Sequence, residues 1–144
     1  MTYAEPETIE RILRETHTWA VVGASANPDR ASNDISRVLV DQGYQMIPIN
    51  PRESEIHGQR AYPDLATAAQ AAREAGHPIE VVDIFRRSDA AGVHVDEAIA
   101  IGATAVWLQL GVIDEPAAAR AEKAGLLVVM DRCPKVELRR LGMG

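Results

Sequence analysis

Five arginines stand a few places beyond the ends of apolar runs. Arg30 follows the run Thr18–Val22, Arg52 follows Tyr44–Asn50, Arg86 and Arg87 follow Ile79–Phe85, and Arg132 follows Leu126–Asp131. A guanidinium is a planar fork of donors that matches phosphate oxygens two at a time. The chain as a whole is acidic, with 21 Asp+Glu against 15 Lys+Arg and a net charge of −6. Arginines recurring at equivalent places on an acidic chain point to a discrete anionic ligand rather than a polyanion. The same balance argues against a general nucleic-acid binder and against a protein that lies on membrane surfaces.

The segment after the first run could cradle such an anion. Gly23 allows a tight turn, Ala24 and Ser25 are small enough for close approach, and a helix starting beyond them would present free N–H groups. Ser32 or Asn33 is the expected N-cap of that helix. A side chain introduced at Gly23 is expected to fill the space where phosphates approach and to leave the fold intact. The single glycine does not make a G-x-G-x-x-G fingerprint. The second run ends in Asn50-Pro51-Arg52, where an NAD enzyme would carry an acidic residue for the ribose diol. Arginine at that place favours a phosphate near the ribose, as in NADP or coenzyme A.

Other reactive side chains form no constellation. His17, His57, His77 and His94 have no metal-like spacing, and no Ser/His/Asp or Cys/His arrangement can be assembled from the ends of the runs. Asp83, inside an apolar run, is expected to make a structural hydrogen bond. Trp107 and Phe85 are read as core or rim packing, with Phe85 also able to flank an adenine. Cys133 is the one cysteine, which excludes an internal disulfide. It is read as a small packed hydrophobe in an edge strand, away from the ligand.

The elements that must position these residues follow one repeating pattern. A helix-like stretch ends at a glycine and an apolar, β-rich run follows, with Gly43, Gly76, Gly102 and Gly125 at the junctions. An amphipathic opening segment, with Ile9, Ile12 and Leu13 on one face, precedes the first run. The runs are continuously apolar rather than alternating, as in parallel strands covered on both faces. The expected fold is α/β, a three-layer Rossmann-like doubly wound parallel sheet of about five strands, with residues 1–144 as a single domain. Ligands of such sheets bind beyond the carboxyl ends of the strands, where strand order reverses. Pro48 is tolerable near the end of the second strand, and the long connection from Pro51 to Tyr62 has room for a short extra strand around Arg60–Tyr62. Asp64 and Asp114 begin the third and fifth helices. The opening residues are charged, without the apolar core of a signal peptide, and no apolar run approaches the ~18 residues of a membrane span. A soluble cytoplasmic protein is expected.

The stretches VVGASANPDR, PINPR, HGQRAYPDL, VVDIFRRS, AIAIGATAVWLQLGV and VVMDRCPK, in this order, cover about residues 18 to 135. Together they resemble the small bacterial CoA-binding proteins, stand-alone relatives of the N-terminal domain of succinyl-CoA synthetase α subunits. The resemblance implies coenzyme A, or an acyl-CoA, as ligand. By it, Gly23, Ala24, Ser25, Asn27 and Arg30 would cradle phosphate. Asn50 and Pro51 would border the adenosine portion with Phe85, Arg86 and Arg87 beside it, and Gln109 and Gly111 would line the pantetheine path. The synthetases rely on a phosphorylated histidine in a second domain, for which these residues hold no counterpart. A non-catalytic binding module is therefore expected, with an NADP-dependent oxidoreductase or a nucleotide-sensing regulatory domain as alternatives.

Overall fold

The computed structural model describes residues 3–144. In chain order the elements are α1 (Pro6–Glu15), β1 (Thr18–Val22), α2 (Ala31–Asp41), β2 (Gln45–Ile49), β3 (Glu55–Ile56), β4 (Gln59–Arg60), α3 (Leu65–Glu74), β5 (Val81–Ile84), α4 (Ser88–Ala100), β6 (Ala105–Gln109), α5 (Glu115–Lys123), β7 (Leu127–Arg132) and α6 (Pro134–Arg140). β1, β2, β5, β6 and β7 form one parallel sheet in the order β2-β1-β5-β6-β7. The chain places β2 on one side of β1, then crosses back to lay β5 on the other. Strand order therefore reverses between β1 and β5.

Helices cover both faces, which is why the strands carry no polar alternation. On one face Trp19, Val21, Val81, Trp107 and Val129 pack with Ile9, Ile12 and Leu13 of α1, Ile35 and Leu39 of α2, and Leu138 of α6. The two indoles meet at a centroid distance of 5.6 Å. Tyr44, just before β2, donates its hydroxyl to the Leu13 carbonyl and so ties α1 to the sheet; burial pushes the phenol up to about 12. On the other face Ala20, Val22, Val82, Ile84, Val106 and Leu108 meet a layer rich in alanine: Ala68, Ala69 and Ala72 of α3, Ala91 and Ala98 of α4, Ala117, Ala118 and Ala121 of α5. Small side chains let these three helices sit close to the strands. Asp64 and Asp114 cap α3 and α5 as expected, accepting from the Thr67 and Ala117 N–H groups.

Three details depart from the sequence reading. The extra strand in the long connection is a hairpin: β3 and β4 pair antiparallel around His57-Gly58, and Tyr62 adds a parallel bridge to Ile49. Both turn residues have positive φ, 51° and 76°, as a tight two-residue hairpin requires. Pro48 is accommodated because β2 is an edge strand, while its carbonyl still accepts from Tyr62 N–H at 3.0 Å. α6 was not expected from the sequence. Pro134 at its first position supplies a φ ready for a helix and lacks only an N–H that would have had no partner.

Asp83 corrects another expectation. It lies in β5 between Val21 and Trp107, is fully buried, and neither carboxyl oxygen has a hydrogen-bond partner among the described residues. Burial raises its pKa well above the usual carboxylate value, which favours the neutral form. In the unfolded chain it ionises in the ordinary carboxylate range. Above that range the unfolded state loses a proton that the folded state keeps, so stability falls as pH rises until the folded group ionises. Each pH unit in that window costs about 1.4 kcal/mol. Asp83→Asn is expected to remove this component, flattening the fall in unfolding free energy as pH rises above the usual carboxylate range. Urea unfolding of both proteins as pH is raised above that range measures it, and parallel pH profiles would contradict the assignment.

Candidate functional site

Reversal of strand order opens a crevice at the carboxyl ends of β1 and β5, because the chain leaves these neighbouring strands toward opposite faces of the sheet. A cleft of about 680 Å³ lies there. Its floor is set by one close approach. Phe85 N–H donates to Val22 O at 2.9 Å, and Gly23 follows at φ 82°. A Cβ at Gly23 would lie 2.2 Å from the Phe85 carbonyl oxygen, inside van der Waals contact. The glycine is thus required by the meeting of two backbones, so a side chain there would disturb the fold that the sequence reading expected it to leave intact.

The loop from β1 to α2 forms one wall and is tied by its own side chains. Ser25 Oγ accepts from Asn27 N–H at 3.0 Å, Asn27 Oδ1 accepts from Asp29 N–H at 2.9 Å, and Asn33 donates its side-chain amide to Ser25 O at 2.9 Å. Gly23, Ala24, Ser25 and Arg30 line the cleft, whereas Asn27 does not; its side chain shapes the turn. α2 begins at Ala31 with Arg30 in the N-cap place and no side-chain cap, so neither Ser32 nor Asn33 has the predicted capping role. The helix starts before both: Ser32 is buried against the cleft and Asn33 is spent on the loop. The first amides of α2 are left without intrahelical acceptors.

Asn50, after β2, donates its amide to Ala24 O at 2.8 Å and accepts from the N–H groups of Arg52 and Glu53. It and Pro51 line the cleft, but the amide group is occupied in joining the ends of β1 and β2.

Four of the five expected arginines line the cleft: Arg30, Arg52, Arg86 and Arg87. Arg132 does not; its guanidinium turns back to donate to the Asp131 carbonyl at 2.7 Å. Arg87 pairs with Asp89 at 2.7 Å, which holds that carboxylate below its usual range. Among the described residues no carboxylate lies within 4.0 Å of the guanidinium nitrogens of Arg30, Arg52 or Arg86. Arg86 instead donates to His94 Nε2 at 3.1 Å, and His94 Nδ1 lies 2.6 Å from Glu97 Oε1. Since an arginine can only donate, His94 must accept at Nε2 and carry its proton on Nδ1. None of the four histidines lines the cleft, and neither does Cys133.

The far wall comes from β6. Gln109 lines the cleft, and its Oε1 is buried without a partner among the described residues. Leu110 and Val112 line it as well, while Gly111 turns away, its N–H donating to Asp131 Oδ1 at 2.7 Å. Sequence reasoning passed over Leu110 and Val112; the signal was an apolar pair straddling a glycine immediately beyond a strand. Phe85 lines the cleft between the two walls.

Residues 17–139 match the profile of the CoA binding domain. The chain belongs to that family. YneT, an uncharacterized protein of Bacillus subtilis, is 36% identical over 128 residues, spanning 89% of this chain and 90% of its own. A hypothetical protein from Pyrococcus horikoshii superposes with a TM-score of 0.84 at 34% identity, over 95% of this chain and 92% of that one. A dinucleotide-forming acetyl-coenzyme A synthetase of Ca. Korarchaeum cryptofilum shares the fold, with a TM-score of 0.68 at 23% identity over 84% of this chain and 27% of the synthetase.

In this CoA binding domain, Gly23→Ala is expected to destabilise the protein by about 2–4 kcal/mol, through strain at positive φ and collision with a backbone atom that cannot rotate away. The midpoint of urea unfolding measures it. A change below about 0.5 kcal/mol would show that β1 and β5 separate freely at this point.

Proposed function

We propose that the cleft binds coenzyme A or an acyl-CoA and that the domain acts as a binding module rather than a catalyst. The observation that carries the reading is a set of three arginines without carboxylate partners, Arg30, Arg52 and Arg86, around the uncapped start of α2 at the reversal point of the sheet. Uncompensated guanidinium groups in an acidic protein favour a compact polyanion, and free helix amides add donors for the same oxygens. In this reading the phosphates lie on Gly23, Ala24, Ser25 and Arg30, with Arg52, Arg86 and Arg87 reaching the remaining charge. The adenosine portion lies beside Asn50, Pro51 and Phe85. Gln109 Oε1, buried without a donor, then receives an N–H or O–H of the pantetheine arm, which carries both. The loop at Gly111 contributes through Leu110 rather than through the glycine itself.

Support for a non-catalytic role comes from the lining. Its hydroxyls are Ser25 and Ser32, and no carboxylate, histidine, cysteine or lysine stands among the lining residues to activate either. The lining also offers no acid or base for hydride chemistry, which favours this reading over an NADP-dependent oxidoreductase.

Isothermal calorimetry with coenzyme A is expected to show binding that weakens as salt is raised. Arg30→Ala, Arg52→Ala and Arg86→Ala should each cost about tenfold or more, since a hydrogen bond to a charged group contributes about 1.5–3 kcal/mol. Arg132→Ala, outside the cleft, should stay within about threefold, and a selective loss with dephospho-CoA would place an arginine on the 3′-phosphate. Absence of binding at millimolar coenzyme A would overturn the assignment. For the non-catalytic role, the pure protein with ATP or GTP, a carboxylic acid and coenzyme A is expected to form no acyl-CoA; nucleotide-dependent product would refute it.

A further inference from the structure

Chemical character changes along the cleft. Across the sheet, the strand ends run from Arg52 after β2, through Arg30 after β1, to Arg86 and Arg87 after β5, and then to Leu110 and Val112 after β6. Three neighbouring strands contribute cations and the fourth contributes aliphatic side chains. Leu110 is 64% exposed and Ile113, on the same loop, 49%.

A single exposed leucine needs no explanation. This one sits on a loop fixed from two sides. Asp131 of β7 takes a positive φ of 60°, which a residue with a side chain seldom adopts, and accepts from Gly111 N–H at 2.7 Å. Ser88, at the start of α4, accepts from Ile113 N–H at 2.9 Å and donates to the Gly111 carbonyl at 3.4 Å. Val112 N–H closes the turn onto Gln109 O at 2.8 Å. The fold thus holds Leu110 on the lip of the cleft instead of letting it fold inward.

The charges at this end disfavour an anion. Asp131 and Asp114 flank the loop, both with carboxylate oxygens accepting backbone N–H bonds. The cation on the β7 side is Arg132, the register partner of Gln109, and it is turned onto the Asp131 carbonyl, while on the β5 side Arg87 is paired with Asp89 and Arg86 bonds to His94.

We infer that the site selects acyl-CoA carrying an uncharged aliphatic acyl group, which lies against Leu110 and Ile113, over free coenzyme A and over a dicarboxylic acyl-CoA. The inference rests on the coenzyme A reading and adds the class of acyl group. With the phosphates at the arginine end, a ligand that follows the cleft delivers its thiol end to the loop after β6, where bare coenzyme A leaves the leucine wet.

Calorimetry with coenzyme A, butyryl-CoA and succinyl-CoA tests it. A fully buried methylene is worth about fourfold in affinity, so a partly covered butyryl chain should bind at least about fivefold tighter than coenzyme A. Succinyl-CoA should bind no tighter than coenzyme A. Leu110→Ser should bring the ratio of coenzyme A to butyryl-CoA dissociation constants close to one, and Ile113→Ser should lower it; both residues are exposed, and circular dichroism would verify the fold. Equal affinities for coenzyme A and butyryl-CoA, or a preference for succinyl-CoA, would overturn this inference and leave coenzyme A binding standing. If none of the three ligands binds, the coenzyme A reading falls and this inference falls with it.

Discussion

The closeness of β1 and β5 at their carboxyl ends constrains everything built above them. These strands are adjacent in the sheet but diverge immediately afterwards, one toward α2 and the other toward α4. The chain must turn away from a neighbouring backbone within a single residue, and Gly23, next to the Phe85 carbonyl, is where it does so. Any side chain there would push the β1–α2 loop off the sheet and carry Arg30 and the start of α2 with it. The cleft is a product of chain geometry before it is a product of any polar side chain.

Polar side chains then fix what the backbone has opened. Asn50 and Asn33 spend their amides on the carbonyls of Ala24 and Ser25, so the first loop is held from β2 and from α2 at once. Asp131 performs the same service for the opposite wall. The cleft's arginines differ in how far they are restrained. Arg87 is neutralised by Asp89, Arg86 is held by His94 Nε2, and among the described residues Arg30 and Arg52 have no such tether. Positive charge is therefore graded across the cleft rather than uniform, within a protein that is acidic overall.

Patterns that repeat were legible in the sequence, and single contacts were not. Four apolar runs after glycine-ended helices specify parallel strands, because buried strands and helix ends impose composition directly; the glycines following α2 to α5 all have φ between 75° and 93°. The arginines were found for the same reason, as residues at equivalent places in a repeating unit. Arg132 occupies such a place too, yet the irregular register between β6 and β7 turns it aside, and an irregularity of that kind leaves no periodic trace. Asn27, Asn33 and Asn50 have identical chemistry in the sequence, and only the tertiary path of the loop tells which backbone group each one meets. Asp83 was misjudged because its neighbours in space, Val21 and Trp107, belong to other strands and offer it no donor. α6 escaped notice because it is short and its apolar residues are few.

The hairpin and the N-terminal segment together shape how this sheet meets other molecules. A parallel sheet ends in two rows of backbone groups, each a template on which a foreign strand can grow. At β2 the chain beyond the hairpin already occupies the template, with Tyr62 bonded to the Pro48 carbonyl and to Asn50 N–H. At β7 Tyr3 has taken the place of an incoming strand, its carbonyl accepting from Met130 N–H at 2.8 Å. Pro48 adds a residue that cannot donate to a new neighbour. At these positions an invading strand would first have to displace the protein's own chain, which turns edge-to-edge polymerisation from a downhill process into a competition.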